Sequence, residues 1–145
     1  VMGKINYSRV LLGGLLAGVI INAIELVLNG LVLQDDWAAA MAALGKPQPI
    51  GAGATALLTI WGFLIGIGTV WLYAAIRPRF SPGPKTALYA GLATWALAYL
   101  SGAIAGAAVG VFPSSLMVIA TIAGCIEAVA ATLAGAWVYR EEATA

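Results

Sequence analysis

Apolar residues run almost unbroken through four stretches of the chain, and short connectors that hold most of the charges separate them. The stretches cover residues 9–33, 54–76, 86–111 and 116–139. Each is long enough to cross the hydrocarbon of a bilayer, which takes roughly 20 predominantly apolar residues in a helix. The pattern therefore predicts an all-α integral membrane four-helix bundle, with a single transmembrane domain over residues 1–145.

Two of the connectors carry turn signals. Residues 77–85 (RPRFSPGPK) contain three prolines and predict a tight, non-helical turn between the second and third spans. Residues 112–115 (FPSS) predict a short hairpin in which Ser114 or Ser115 is the N-cap of the last helix. Because these connectors are short, we expect the spans that they join to run antiparallel.

The connector after the first span is longer and has helical character of its own. It begins with Asp35 and Asp36, which can cap a helix, and it reaches helix breakers at Gly45 and Pro47. Apolar residues recur in it at helical spacing: Trp37, Met41 and Leu44. We expect a short helix in segment 35–45 that lies on the membrane interface, either as a simple connector or as a lid.

Positive charges concentrate on one side of the predicted spans. Of the seven Lys and Arg residues, only Lys46 falls in a connector on the other side. Cytoplasmic segments of membrane proteins are enriched in Lys and Arg, so both termini are expected in the cytoplasm and the connector helix outside. The charge pattern thus predicts a multi-pass protein with an N-in, C-in topology.

Composition narrows the chemistry. Hydrophobic residues make up 62% of the chain and charged residues 9%, which is outside the range of soluble globular proteins. With no histidine and one cysteine, neither a metal site nor a bound cofactor is expected within a single chain. The net charge of +1 argues against a nucleic-acid partner. The expected partners are the lipid bilayer and other membrane proteins, either further copies of this chain in a homo-oligomer or different subunits.

Small residues form a face on each predicted span. Hydrophobicity cannot drive helices together in lipid, whereas close backbone approach at small residues can. The glycines expected to pack are Gly14 and Gly18 in the first span, Gly62 and Gly66 in the second, and Gly102, Gly106 and Gly110 in the third. The row in the third span fits a seam between molecules and a contact within one molecule equally well.

Two glutamates interrupt the apolar spans. Glu25 shares one helical stripe with Asn22 and Asn29, and Glu127 lies near the middle of the fourth span. A charged side chain that faces lipid costs several kcal/mol, so both glutamates are expected to face the interior, a partner or water. The candidate partners within the chain are the two asparagines, the other glutamate, and the hydroxyls of Thr59, Tyr99 and Thr121.

The two glutamates come from antiparallel spans and lie at similar depth, so they could share one proton. Intramembrane acids typically mark proton or cation sites in transporters. Two other interpretations stay open. Each glutamate could be protonated and hold helices together through hydrogen bonds, or it could pair with a cation on another subunit.

Three stretches resemble parts of a set of small four-helix bacterial inner-membrane proteins that have no established activity. They are RVLLGGLLAGVIINAIE, WLYAAIRPRFSPGPKTAL and GAWVYRE. The resemblance covers most of the chain and implies a complete protein in a bacterial inner (plasma) membrane, but it carries no function with it.

A weak internal similarity links the ends of the second and fourth spans. WLYAAIR begins at Trp71 and WVYR begins at Trp137, each with Trp and Tyr two positions apart. The similarity fits a duplicated helical hairpin in a parallel two-plus-two arrangement. It fits equally well a belt of aromatic residues at the membrane interface.

These features favour a non-catalytic membrane subunit that self-associates or packs beside a larger membrane complex, since the chain is short and rich in packing glycines. The alternative is a small oligomeric transporter or channel that uses Glu25 and Glu127 as a proton or cation site. An intramembrane enzyme is least favoured, because no nucleophile, metal or positioned base accompanies the acids.

Overall fold

The structure, a computed structural model, describes residues 4–46 and 49–140, and this part of the chain is all-helical, without strands. The helices are α1 (Tyr7–Val27), α2 (Gln34–Ala43), α3 (Ala52–Phe80), α4 (Pro84–Trp95), α5 (Ser101–Val109) and α6 (Ser114–Val138). Two π-helical turns, Leu28–Val32 and Ala96–Leu100, follow α1 and join α4 to α5.

Four continuous helical segments are long and apolar enough to cross a membrane, which confirms the prediction of an all-α chain with four candidate spans. They are Tyr7–Val32, Ala52–Phe80, Pro84–Val109 and Ser114–Val138. Each is within a few residues of the stretch that hydropathy predicts. These four spans indicate a membrane protein.

The bundle has two ends that differ in chemistry. At the first, Tyr139 accepts a hydrogen bond of 3.3 Å from the backbone N–H of Asn6, and the Arg77 guanidinium lies 5.5 Å from the centre of the Tyr139 ring. At the second, Trp37 of α2 meets Phe112 edge to face at 5.4 Å. We call these the basic end and the α2 end.

Glycines let α1 approach α3 and α6 backbone to backbone. A Cβ atom placed on Gly66 would lie 2.4 Å from the amide nitrogen of Gly18 and 2.6 Å from the carbonyl oxygen of Gly14. A Cβ on Gly135 would lie 2.7 Å from the carbonyl oxygen of Gly13. Such contacts hold helices together in lipid, where burial of apolar surface gives no driving force.

A cluster of threonine hydroxyls ties α3, α4 and α6 together in the half of the bundle nearer the basic end. Thr94 donates to Thr69 at 2.9 Å, and the Thr69 and Thr132 hydroxyls are 2.7 Å apart. Thr132 donates in turn to the carbonyl of Ala128 at 2.6 Å. Each hydroxyl has a partner, as burial in an apolar interior requires.

The two halves of the bundle differ in packing density. The apolar core lies in the half nearer the basic end, where Ala17, Ile21 and Val70 are fully enclosed. Toward the α2 end, residues 51–60 are exposed along their whole length, and α5 has no buried residue. The chain on its own is therefore more closely packed in the half nearer the basic end than toward the α2 end.

The proline-rich turn is shorter than predicted. α3 continues through Pro78 to Phe80, and α4 begins at Pro84, so residues 81–83 alone form the turn in place of residues 77–85. Pro78 lies in the last turn of α3. Its missing N–H costs one hydrogen bond, and the helix ends two residues later. Pro84 is the first residue of α4, where a backbone N–H would have no acceptor within the helix.

The predicted helix caps are also wrong. The N-cap of α6 is Pro113, which has no side-chain capping bond, and Ser114 is already helical. Asp35 and Asp36 lie in the first turn of α2 and do not cap it, because the π-helical turn carries helical structure up to Leu33. α2 ends at Ala43, before Gly45 in its left-handed conformation, while Pro47 lies outside the described residues.

Candidate acid-pair site within the spans

Glu127 is enclosed completely by the bundle, with 0% of its surface exposed. The Tyr99 hydroxyl donates a hydrogen bond to its Oε1 at 2.5 Å. Gly124, one turn before Glu127, makes room for this tyrosine, since a Cβ there would lie 2.6 Å from Cδ1 of the Tyr99 ring. Oε2 of Glu127 has no hydrogen-bond partner in the described part of the chain.

Glu25 reaches the same place from α1. It is half-buried, and it lies close enough to Glu127 and Tyr99 to interact electrostatically with both. Asn29, one turn further along, donates a hydrogen bond from Nδ2 to its Oε2. The Lys and Arg residues within the spans all lie near the basic end, so they do not neutralise the two acids at this depth.

Both donors to the acids stand on the π-helical turns. Asn29 belongs to Leu28–Val32 and Tyr99 to Ala96–Leu100. In each turn the hydrogen bond spans five residues, from the Leu33 N–H to the Leu28 carbonyl and from the Ser101 N–H to the Ala96 carbonyl. A π-turn holds one residue more than an α-turn and re-aims the side chains beside it, and such turns are frequent at functional sites.

A hydrogen-bonded chain connects Glu25 to helix α2. The indole Nε1 of Trp37 donates to Oδ1 of Asn29 at 2.8 Å, and Asn29 donates to Glu25. At the other side of the site, the Tyr99 ring meets Trp61 of α3 edge to face at 5.6 Å. Hydrogen bonds thus link α2 to Glu25 of the first span, and Tyr99 of the third span to Glu127 of the fourth. The second span adds an aromatic contact through Trp61.

The remaining predicted polar residues bond elsewhere. Asn22 donates to the carbonyls of Gly18 at 2.8 Å and Thr59 at 3.3 Å, and so ties α1 to α3. The Thr59 hydroxyl donates to Thr55 within its own helix, and the Thr121 hydroxyl does the same to Met117. The two threonine hydroxyls are therefore not partners of the glutamates in this structure.

The predicted packing glycines separate into two groups. Gly14, Gly18, Gly62 and Gly66 are buried between α1 and α3, and a Cβ on Gly62 would lie 2.7 Å from Nδ2 of Asn22. The row in the third span has no such neighbours: Gly102 has no atom within 4 Å of a Cβ position, and Gly106 has only Cε of Met117 at 3.8 Å. Gly110 terminates α5 in the left-handed conformation.

Sequence reasoning did not identify Trp37 or the threonine cluster as polar partners. Trp37 was expected only as an apolar residue of an interfacial helix. The signal that bears on it is its spacing of eight residues from Asn29, about two helical turns. The helix is interrupted between them at Leu33, which the sequence does not reveal. For Thr69, Thr94 and Thr132, the available signal is that each interrupts an apolar stretch in the half without glutamates.

The site offers two carboxyl groups, each with one hydrogen-bond donor. The described residues contain no group of three or more His, Cys, Asp or Glu side chains that could hold a metal ion. Two adjacent carboxyl groups, each with one donor, can share a single proton between their remaining oxygens.

The chain matches no family model, no curated protein and no solved structure.

Proposed function

We propose that the protein is a small membrane transporter or channel that moves protons, with Glu25 and Glu127 as its intramembrane proton site. The observation that carries the proposal is the fully enclosed Glu127, whose Oε2 has no donor among the described residues and which lies beside a second acid. An ionised carboxylate without compensation is too costly in such a place.

The number of hydrogen-bond donors to the two carboxyl groups supports one shared proton. Tyr99 supplies one hydrogen bond to Glu127 and Asn29 supplies one to Glu25, and an ionised carboxylate can only accept. Oε2 of Glu127 therefore needs a donor, and a protonated Glu25 carries one next to it. A site that binds one proton in this way can also release it, which a purely apolar interior cannot do.

We place the basic end in the cytoplasm of a bacterial cell and the α2 end outside, on the strength of the Lys and Arg distribution. In this orientation the less closely packed half of the bundle faces outward and the closely packed half faces inward. Glu127 is fully enclosed and Glu25 is half-buried, so passage of a proton through the acid pair requires a second arrangement of the helices. Four helices enclose little volume, so an oligomer forms the complete pathway.

Voltage-driven proton uptake into liposomes tests this function. Wild-type protein is expected to acidify the lumen of vesicles in which a potassium gradient and an ionophore impose a negative interior potential, followed with a trapped pH dye. Glu127→Gln and Glu25→Gln are each expected to reduce uptake to the level of protein-free vesicles, because an amide cannot take up and release the proton.

Asp35→Asn is the matched control, since it removes an acid from the exposed first turn of α2. It is expected to retain wild-type uptake. Wild-type uptake no faster than that of protein-free vesicles contradicts the proposed function, and so does full uptake by Glu127→Gln.

A second function, that of a self-associating membrane subunit, is favoured by the third span. Among the described residues, its glycine face has no neighbour at Gly102 and only Cε of Met117 at Gly106, although such faces typically admit a neighbouring helix. We expect wild-type protein to be oligomeric in mild detergent by native mass spectrometry. Gly102→Ile and Gly106→Ile are expected to yield monomer, while Gly68→Ile, at another glycine without neighbours, keeps the oligomer. A monomeric wild type contradicts this function.

A further inference from the structure

Helix α2 is anchored to the bundle. Leu33 and Ala40 form an apolar cluster with Leu116 at the start of α6, and Trp37 packs against this cluster. The anchoring holds the Trp37 indole over Asn29, where its N–H donates to Oδ1 at 2.8 Å. A helix that only lay on the membrane surface would not donate a hydrogen bond to a residue of the first span.

The Trp37 indole determines which way the Asn29 amide faces. An indole N–H can donate and cannot accept, so it must meet the carbonyl oxygen of the amide. With Oδ1 turned to Trp37, the amide nitrogen turns to Glu25 and donates to its Oε2. Without the indole N–H, the amide is free to rotate and to present its oxygen to Glu25. An amide oxygen repels an ionised carboxylate.

We infer that Trp37 is a positioning residue of the acid pair: through Asn29 it holds the donor that stabilises the charged form of Glu25. The inference rests on the proposed proton site and extends it to the connector helix. The position of α2 thereby determines whether Glu25 keeps this hydrogen-bond donor.

Infrared titration of the purified protein tests this without any need for transport. The readout is the pH midpoint at which the protonated-carboxyl band of the acid pair disappears. Trp37→Phe keeps an aromatic ring against Phe112 and removes the N–H. Because loss of a donor disfavours the ionised form, the midpoint is expected to rise by about one pH unit, the equivalent of one hydrogen bond to a charged group.

Asn29→Leu is expected to raise the midpoint by the same amount, and the double variant by no more, since both changes remove one interaction. Trp137→Phe is the control, because this side chain is 83% exposed at the basic end and is expected to leave the midpoint unchanged. An unchanged midpoint in Trp37→Phe, or additive shifts in the double variant, overturns the inference. A shifted midpoint in a protein that moves no protons upholds the positioning role and contradicts the proposed function alone.

Discussion

Gly66→Ala is expected to destabilise the bundle by about 3 kcal/mol, the upper end of what overpacking usually costs. The added methyl group would lie 2.4 Å from the Gly18 nitrogen and 2.6 Å from the Gly14 oxygen. Both are backbone atoms, which cannot turn aside as a flexible side chain can. α3 must therefore move away from α1, and the contacts along their whole interface loosen with it.

Gly68→Ala, two positions along the same helix, is the matched control. Its Cβ would meet nothing within 4 Å, so the substitution adds a methyl group on an open face. We expect no loss of stability there. The measurement is the unfolding free energy from titration of the micellar protein with a denaturing detergent. Equal stability of the two variants would contradict the backbone contact between α1 and α3.

The spans could be predicted from the sequence because one quantity, the length of each apolar stretch, determines them. The exact ends of the connectors could not be predicted, because hydropathy does not show at which residue the backbone hydrogen bonds of a helix stop. Pro78 illustrates this. A proline in the interior of a helix breaks it, whereas Pro78 in the final turn of α3 leaves the helix intact as far as Phe80.

The acids of the site could be predicted, and most of their surroundings could not. The cost of a carboxylate in lipid requires Glu25 and Glu127 to find partners, and Asn29 on the same stripe is an obvious one. Tyr99 was one of three hydroxyl candidates, and only the structure separates it from Thr59 and Thr121. The choice depends on a π-turn that re-aims the tyrosine and on the space that Gly124 leaves for its ring. Neither follows from spacing at 3.6 residues per turn.

Replacement of Glu127 is expected to leave stability nearly unchanged with glutamine and to lower it with alanine. Glutamine keeps the volume and the oxygen that accepts from Tyr99, and its amide supplies a donor toward Glu25, so the folded protein is expected to remain near wild-type stability. Alanine leaves a cavity and deprives both Tyr99 and Glu25 of their neighbour. Its cost is expected to be about 3 kcal/mol, as for a large buried side chain that is truncated to alanine.

The same variants separate a shared proton from simple helix packing through the pH dependence of stability. If the folded pair holds one proton that the unfolded chain releases, the folded state binds more protons, and wild-type stability falls as the pH rises. Glu127→Gln removes the adjacent charge, so its stability is expected to stay flat from neutral to alkaline pH. Thermal unfolding in detergent, followed by circular dichroism at several pH values, measures both. If the wild type and Glu127→Gln have parallel pH profiles, the two carboxyl groups do not share a proton. A shared proton would make the stability of the wild type alone depend on pH in this range.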